Sequence, residues 1–221
     1  MILTTEEKMK DYTEKGWWGT KTVQQYLQQF VESSPTKTAV IDPLNKATLC
    51  QTPSLSLTYD QLQQKIDQVA SALHEQGIGK DDLVAIQLPN VVELVISYFA
   101  ILKVGAISSP IPIQYREFEC LQLLQSLNAK AVITMQQINE RHYVEMYAQL
   151  QDQVPSLQTI FTFDGPNEAS VFIDLQQQPI HELPNVDVTA NDIFTICWTS
   201  GTEGKPKGVP RSHNEWLVSA Y

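Results

Sequence analysis

The sequence has little positive charge, few cysteines and no long uninterrupted hydrophobic run. Its 221 residues carry 15 Lys and Arg against 25 Asp and Glu, which gives a formal net charge of -10. Non-specific attraction to phosphate backbones or anionic membranes needs a positive field, so this balance argues against a general nucleic-acid or membrane-surface binder. Any phosphate site must therefore depend on positive groups concentrated in one part of the chain.

The three cysteines, Cys50, Cys120 and Cys197, are far apart in the sequence. They lack the paired spacing typical of zinc ligands or of a disulfide framework. The first residues, MILTTEEKMKDYTEKG, are charged and polar where a secretory signal carries an apolar segment. We therefore expect reduced thiols in a cytoplasmic protein.

The most apolar part of the sequence, residues 91–113, is interrupted by Glu93, Lys103 and Gly105 and contains two prolines. It falls short of the unbroken apolar span that a bilayer demands. A buried helix followed by a strand fits it better.

The middle of the chain alternates between helix-like and strand-like segments. Thr58 and Gln61 have the spacing of a capping box at the start of an amphipathic helix, and Gly77 is a stop signal for it. Asn90 with Glu93 can cap the next helix. Helices are predicted at residues 90–105, 118–127 and 140–151, with Phe118, Leu121, Leu124 and Leu127 on one face of the second, and strands at 83–88, 107–113, 131–134, 157–163 and 193–198.

This alternation predicts an α/β fold with a mostly parallel sheet and helices on both faces, in which ligands gather at the carboxyl ends of the strands. Two prolines place the strand at 107–113 at an edge of the sheet, or bend it out of the sheet. Residues 165–191 form the main irregular connection, with at most a short strand at 171–175. The N-terminal part does not show this alternation. It is predicted to contain an amphipathic helix at 23–31 and strands at 38–42 and 55–59 that can pair.

The stretch WTSGTEGKPKGVPRSH, residues 198–213, concentrates glycines, hydroxyls and cations directly after a predicted strand. Gly201, Gly204 and Gly208 permit positive φ, which lets backbone N–H groups turn inward around an anion. Thr199, Ser200 and Thr202 add hydroxyl donors, and Lys205, Lys207 and Arg211 add three cations. The composition favours a phosphate ligand, although a mobile surface turn is the alternative interpretation.

The stretch is not a Walker loop, because Pro206, Lys207 and Gly208 stand where that motif ends in Gly-Lys-Ser/Thr. A P-loop phosphotransferase is therefore disfavoured.

TSGTEGKPKGV resembles the signature loop of the AMP-forming adenylate ligases, which include acyl-CoA synthetases, aryl-acid ligases, luciferases and peptide-synthetase adenylation domains. Glu203 stands where the common form has a second Thr. Four further segments resemble the family's N-terminal landmarks in order: LTYDQL at 57–62, VAIQLPN at 84–90, FAILKVGA at 99–106 and QYRE at 114–117. KGWW at 15–18 and PRSHN at 210–214 look most like the aryl-acid and cyclohexanecarboxylate-type ligases.

The resemblance implies a two-step reaction: ATP adenylates a carboxylic acid with release of pyrophosphate, and a thiol of coenzyme A or pantetheine then takes the acyl group. It implies that the β- and γ-phosphates of ATP are bound by a loop of eight matching positions: Thr199, Ser200, Gly201, Thr202, Gly204, Lys205, Lys207 and Gly208. Lys207 is the strongest candidate for stabilising the leaving pyrophosphate. Arg211 and His213 are expected to cap or orient the next helix, and Trp17 and Trp18 to anchor the N-terminal segment by packing. His74, His142 and His181 have no catalytic spacing.

The resemblance also implies that residues 1–221 are a partial N-terminal domain that ends just after the phosphate loop at 199–208. In the family the Mg²⁺ ligand, the ribose and acid sites and the mobile C-terminal domain lie further along, so we expect no metal ligands here and little turnover by this segment alone. A non-catalytic binding or scaffold module of the same fold is the alternative. Such a partial domain is expected to expose an apolar edge and to self-associate.

Overall fold

The structure, a computed structural model, describes residues 1–164, 173–176, 178–199 and 206–219. The helices are α1 Glu6–Glu14, α2 Val23–Ser33, α3 Lys46–Cys50, α4 Tyr59–Glu75, α5 Val92–Lys103, α6 Glu117–Leu127, α7 Tyr143–Gln151 and α8 His213–Val218. The strands are β1 Thr38–Ile41, β2 Ser56–Thr58, β3 Leu83–Ile86, β4 Ile107–Pro110, β5 Ala131–Thr134, β6 Gln137–Ile138, β7 Arg141–His142, β8 Thr159–Thr162, β9 Ile173–Asp174, β10 Ile193–Thr199 and β11 Lys207–Ser212. Residues 171 and 172 of the predicted strand at 171–175 lie outside the described residues, and β9 forms within the rest of it.

Seven strands form the main sheet, in the order β11-β10-β4-β3-β5-β8-β9. All neighbouring pairs are parallel except β10 and β11, which are antiparallel. The chain moves one way from β3 to β4 and then back across β3 to β5 and β8. Because such crossovers are right-handed, α5 lies on one face of the sheet and α6 and α7 on the other. The predicted α/β class is confirmed.

The helix signals near residue 58 are confirmed in detail. The Thr58 hydroxyl accepts from the Gln61 N–H at 3.3 Å, and the Gln61 side chain accepts from the Thr58 N–H at 2.9 Å. Gly77, just beyond α4, has φ +71, a conformation that a residue without Cβ adopts at low cost. The predicted pairing of the two N-terminal strands is also confirmed, since β1 and β2 are antiparallel neighbours.

The cap predicted at the next helix is wrong. Val91, not Asn90, is the N-cap residue of α5, and its side chain makes no capping bond. The Val92 N–H instead donates to Asp42 Oδ1 at 2.7 Å, across 50 residues of sequence. A long-range partner satisfies this helix end, and sequence spacing does not contain that information.

The proline-containing strand β4 is central, because it lies between β10 and β3, so the predicted edge position is wrong. The alternative prediction, a bend out of the sheet, agrees with the end of β4 at Pro110. Pro110 is its last residue and Pro112 lies beyond it, so their missing N–H groups cost the ladder little. On α6 the prediction for Phe118 is also wrong, since 68% of this side chain is exposed. Cys120 and Leu123 occupy the buried face together with Leu124 and Leu127.

Two further boundaries differ from the predictions. The helix expected from Glu140 starts at Tyr143, because residues 137–142 first form the β6–β7 hairpin, with Asn139 in its turn at φ +54. Lys207–Ser212 forms β11, the edge strand of the described sheet, where no strand is predicted. Val209 on this strand and Trp216 beyond it are partly exposed. Self-association through this edge stays a prediction.

Candidate phosphate-binding site

The two ends of the predicted phosphate loop lie side by side. β10 ends at Thr199 and β11 begins at Lys207, and these residues are opposite each other in the antiparallel register. The Thr199 hydroxyl donates to the Lys207 carbonyl oxygen at 3.4 Å. Five of the phosphate-binding positions that the resemblance implies lie between them and outside the described residues: Ser200, Gly201, Thr202, Gly204 and Lys205.

The loop leaves the sheet where a ligand can reach it. Thr199 stands at the carboxyl end of β10, next to the parallel strand β4, and this is the edge at which ligands bind in such sheets. Thr199 and Lys207 are both exposed. A hydroxyl group and an ammonium group therefore lie together where the two strands end.

Gly208 lies in a closely packed position, which is not the reason for a glycine that the sequence suggests. It has extended backbone in β11 and lies opposite Trp198, so the expected positive φ is wrong at this position. A Cβ placed here would lie 3.0 Å from Ile196 Cγ2 and 3.5 Å from the Trp198 ring. The missing side chain thus leaves room for the Ile196 methyl group, while the indole would lie at an ordinary contact distance.

Hydrogen bonds from β4 hold the strand that leads into the loop. The Trp198 indole N–H donates to Ser109 Oγ at 2.9 Å, and this hydroxyl donates to the Ile196 carbonyl at 3.0 Å. Ser108 Oγ donates to the Phe194 carbonyl at 3.1 Å. The serines of β4 therefore fix β10 against the centre of the sheet.

Arg211 and His213 make contacts that hold the helix after the loop, α8, in place, as predicted. Arg211 Nη2 donates to the Glu215 carbonyl at 2.9 Å and to Ser219 Oγ at 2.8 Å, at the end of α8. This guanidinium is therefore engaged with α8, and Lys207 is the exposed cation that the described residues provide at the loop.

His213 is the first residue of α8 and is buried. Its Nδ1 accepts from the Val23 N–H at 3.2 Å, and its ring stacks on Phe194 with a centroid distance of 5.3 Å. In the described part of the chain Nε2 has no hydrogen-bond partner. Burial lowers the pKa of this imidazole from 6.5 to about 4, against the opposite effect of Asp192.

This low pKa makes the stability of the fold depend on pH. Below about pH 6.5 the unfolded chain binds a proton at His213 that the folded chain accepts only near pH 4. Stability should therefore fall as the pH drops through this window, with roughly 2–3 kcal/mol due to His213. Urea unfolding gives the difference in unfolding free energy between pH 7 and pH 4.5 for each variant. This difference should be about 2 kcal/mol smaller in His213→Asn than in the control His74→Asn, which replaces an exposed histidine. Equal pH effects in the two variants would contradict this assignment.

A cavity of about 640 Å³ lies beside the start of the loop, at the carboxyl ends of β3 and β4. Trp198 and Cys197 line one side, and Tyr115 lines another. Its walls are otherwise mainly apolar side chains, with Asn45, Asn90 and Gln114 as the polar ones. The loop therefore opens next to a partly apolar space.

Gln87, in the VAIQLPN segment, fixes the connection between β4 and α6 that borders this cavity. It is fully buried, and its amide nitrogen donates to the carbonyls of Pro112 at 2.8 Å and Tyr115 at 3.2 Å. Its amide oxygen accepts from the Tyr147 hydroxyl at 2.6 Å. One side chain thus ties β3 to this connection and to α7, a role that the sequence did not reveal.

A buried ion cluster, also missed from the sequence, is formed by residues adjacent in sequence to Asn45 and Leu94, which line the cavity. Lys46 Nζ is 2.7 Å from Asp42 Oδ2 and 2.6 Å from Glu93 Oε1, and the side chains of Lys46 and Asp42 are fully buried. Asp42 also accepts from the Leu55 N–H at 2.7 Å. The cluster joins α3 to the start of α5, so it fixes two walls of the cavity relative to each other.

The two N-terminal tryptophans and the other three histidines differ in their burial and contacts. Trp18 is buried and its ring contacts Tyr12 edge-on at 5.1 Å, which confirms the packing anchor, whereas Trp17 is 58% exposed. His181 Nε2 is 2.6 Å from Glu75 Oε1. His74 and His142 are exposed.

Burial raises the pKa of Cys50 and of Cys120 to about 11, so both are protonated thiols at neutral pH. All three cysteines are free. Within the described ranges, no three side chains of the metal-binding types come close enough together to hold an ion. In the same ranges, every helix is too short or too polar to cross a membrane.

The sequence profile of a known family, described as AMP-binding enzyme, matches residues 27–221. The chain belongs to the AMP-binding enzyme family. It is 30% identical over 217 residues to the medium-chain fatty-acid–CoA ligase of Escherichia coli K12, covering 97% of this chain and 37% of that enzyme. It is 27% identical over 209 residues to the vibriobactin-specific 2,3-dihydroxybenzoate-AMP ligase of Vibrio cholerae, covering 94% of this chain and 37% of that enzyme.

Solved structures share the fold of this chain. MbtA of Mycobacterium smegmatis superimposes with a TM-score of 0.80 at 21% identity, over all of this chain and 39% of that one. The anthranilate CoA ligase AuaEII, solved with anthranoyl-AMP, superimposes with a TM-score of 0.76 at 24% identity, over 91% of this chain and 36% of that one. The chain thus spans little more than a third of the length of these relatives.

Proposed function

We propose that residues 1–221 act as the partial N-terminal domain of an AMP-forming ligase that activates a carboxylic acid with ATP and passes the acyl group to a thiol. The observation that carries the proposal is the pairing of Thr199 with Lys207, which brings the ends of the glycine- and lysine-containing loop together at the carboxyl edge of the sheet. Family membership agrees with it. The relatives named above act on fatty acids, 2,3-dihydroxybenzoate and anthranilate, all of which are carboxylic acids.

In this proposal the loop holds the β- and γ-phosphates through backbone N–H groups, hydroxyls and lysines, contributed by Thr199, Ser200, Gly201, Thr202, Gly204, Lys205, Lys207 and Gly208. ATP, when bound, supplies the adenylyl group that turns the carboxylate into a reactive acyl-adenylate, and pyrophosphate is the leaving group. Lys207 places its ammonium group against the departing pyrophosphate, where negative charge increases in the transition state. The exposed Thr199 hydroxyl and the missing Cβ of Gly208 are compatible with a polyphosphate at this turn.

Because this segment covers little more than a third of its relatives, the proposal assigns the rest of the reaction to other parts of a complete ligase. These parts would supply the Mg²⁺ ligand, the acid pocket and the binding of coenzyme A or a pantetheine thiol. We accordingly propose that residues 1–221 bind polyphosphate but turn over little or not at all. We place the reaction in the cytoplasm, in keeping with the free cysteines.

Titration with pyrophosphate tests the loop assignment. Lys207→Ala removes an exposed cation, and we expect it to weaken pyrophosphate binding by about tenfold, as for the loss of one charge-assisted contact. Isothermal titration calorimetry at fixed ionic strength measures this change, with Lys65→Ala as a control that removes an exposed cation on α4. A non-catalytic scaffold should bind no pyrophosphate and show no effect of Lys207→Ala, and that result would overturn the proposed function.

A further inference from the structure

The end of β10 that leads into the phosphate loop has little backbone support from the centre of the sheet. β10 pairs with the edge strand β11 from Ile193 to Thr199. Its register with the central strand β4 is confined, in the described part of the sheet, to Thr195 opposite Ser108. Backbone pairing therefore joins the last residues before the loop to an edge strand and not to the core of the sheet.

Pro110, the last residue of β4, marks the point where this support stops. The Ile107 N–H donates to the Asp82 carbonyl at 2.8 Å, next to the start of β3. The Ile111 N–H donates to the Ile86 carbonyl at 2.7 Å, at the end of the same strand. Because successive residues of a strand point their N–H groups to opposite sides, position 110 faces β10. Proline has no N–H to donate there, so the carbonyls of β10 beyond this point need another donor.

Two side chains supply the connection that the backbone lacks. The Ser109 hydroxyl donates to the Ile196 carbonyl at 3.0 Å and accepts from the Trp198 indole N–H at 2.9 Å. Ser109 is fully buried, and a hydroxyl acts as donor and acceptor at once, so both of its capacities are used. Trp198 is thereby tied to the centre of the sheet in the segment where the backbone pairing has stopped.

The Trp198 ring also contacts the strand on the other side of β10. Its register partner on β11 is Gly208, and a Cβ on this glycine would lie 3.5 Å from the ring. This pair stands directly beside Thr199 and Lys207, the two described ends of the loop. One side chain therefore contacts both neighbours of β10, next to the two residues that the proposed function assigns to phosphate.

We propose that Trp198 is a positioning residue for Thr199 and Lys207: its indole N–H holds the end of β10 to Ser109, where Pro110 leaves the sheet without a backbone donor. The inference rests on the proposed function, since it concerns the same loop, and it adds a residue outside the phosphate-binding set. Without the indole bond, Thr199 and Lys207 keep their chemistry but sample more positions. Polyphosphate must then order them, which weakens its binding.

Isothermal titration calorimetry with pyrophosphate, at fixed ionic strength, tests this role. Trp198→Phe keeps an aromatic ring and removes the N–H, and we expect it to weaken binding by about three- to tenfold, as for the loss of one hydrogen bond. Ser109→Ala should have a similar effect, and the double variant should bind no more weakly than the weaker single variant, because both changes break one bond. The indole N–H resonance of Trp198 in wild type should shift on addition of pyrophosphate, whereas that of the exposed Trp17 should not.

Two variants that weaken the attachment of β10 further from the loop serve as matched controls. The Trp216 indole N–H donates to the Thr195 hydroxyl at 2.7 Å, and the Ser108 hydroxyl donates to the Phe194 carbonyl at 3.1 Å. Trp216→Phe and Ser108→Ala therefore remove bonds of the same two kinds from the same strand. We expect both to keep wild-type affinity for pyrophosphate, although each also loses a hydrogen bond to β10.

The outcomes separate the positioning role from general destabilisation and from the proposed function. Wild-type affinity in Trp198→Phe and Ser109→Ala, or an equal loss in Trp216→Phe, would overturn the positioning role. If Trp198→Phe does not fold, as judged by circular dichroism, the affinity of Ser109→Ala decides the question. Binding weakened in Lys207→Ala but not in these two variants would overturn this inference and leave the proposed function intact, whereas no pyrophosphate binding by wild type would overturn both.

Discussion

Replacing Lys46 with methionine should lower the free energy of unfolding by about 3–5 kcal/mol. The Lys46 ammonium lies 2.7 Å from Asp42 Oδ2 and 2.6 Å from Glu93 Oε1, out of contact with solvent. Methionine fills much of the same volume but leaves two buried carboxylates without a countercharge. Breaking such a cluster costs far more than losing an exposed ion pair, which typically contributes up to about 1 kcal/mol.

Urea unfolding at pH 7 measures this loss. The matched control is Lys65→Met on α4, an exposed lysine whose ammonium contacts only Gln68 among the described residues. We expect the control to change stability by less than about 0.5 kcal/mol. Adding Glu93→Gln to Lys46→Met should recover part of the loss, because it removes one uncompensated charge. A loss of less than about 1 kcal/mol for Lys46→Met would show that the cluster contributes little to stability.

Replacing Gln87 with leucine is expected to cost about 3 kcal/mol of stability. The change leaves the Tyr115 carbonyl without its buried partner and removes the 2.6 Å partner of the Tyr147 hydroxyl, whereas the Pro112 carbonyl still accepts from the Tyr115 N–H at 3.0 Å. Each buried polar group left unsatisfied costs about 1–3 kcal/mol, and partial relaxation reduces the sum. The β4–α6 connection should also become more mobile, because these bonds hold it.

Chemical unfolding gives the stability of Gln87→Leu, and hydrogen exchange followed by mass spectrometry reports on residues 111–116. Gln64→Leu on α4 is the matched control, since Gln64 is exposed and its amide bonds only the Asp60 carboxylate, at 2.9 Å. We expect faster exchange over residues 111–116 in Gln87→Leu alone. Wild-type exchange together with a stability loss below about 1 kcal/mol would refute the positioning role of Gln87.

Local patterns were enough to predict the class of the fold. Residues 58–77 carry the capping box, the amphipathic spacing and the terminal glycine of one helix within a short stretch, so both ends of α4 follow from nearby residues. The alternation of strands and helices likewise predicts a mostly parallel sheet, because consecutive parallel strands need crossover helices. The same alternation predicts a ligand-binding loop after β10, since ligands in such sheets bind at the carboxyl ends of the strands.

The features that the sequence did not predict depend on residues distant in the chain. The central position of β4 is set by its neighbours β10 and β3, and the two prolines alone favour an edge. Asp42 caps α5 from 50 residues away, and Lys46 is an ordinary surface residue by composition until the fold encloses it. β11 is short and contains both Gly208 and Pro210, so its strand character comes from pairing with β10 and not from propensity.

The register of β10 and β11 has a consequence for how this protein can change over time. Thr199 faces Lys207 and Trp198 faces Gly208, so the position free of a side chain coincides with the indole. A slip of β11 by one residue against β10 would turn the side chains of β11 to the opposite faces of the sheet. The pairing therefore constrains substitutions on β11 itself, because Lys207 and Gly208 keep their places opposite Thr199 and Trp198 only while this register is kept.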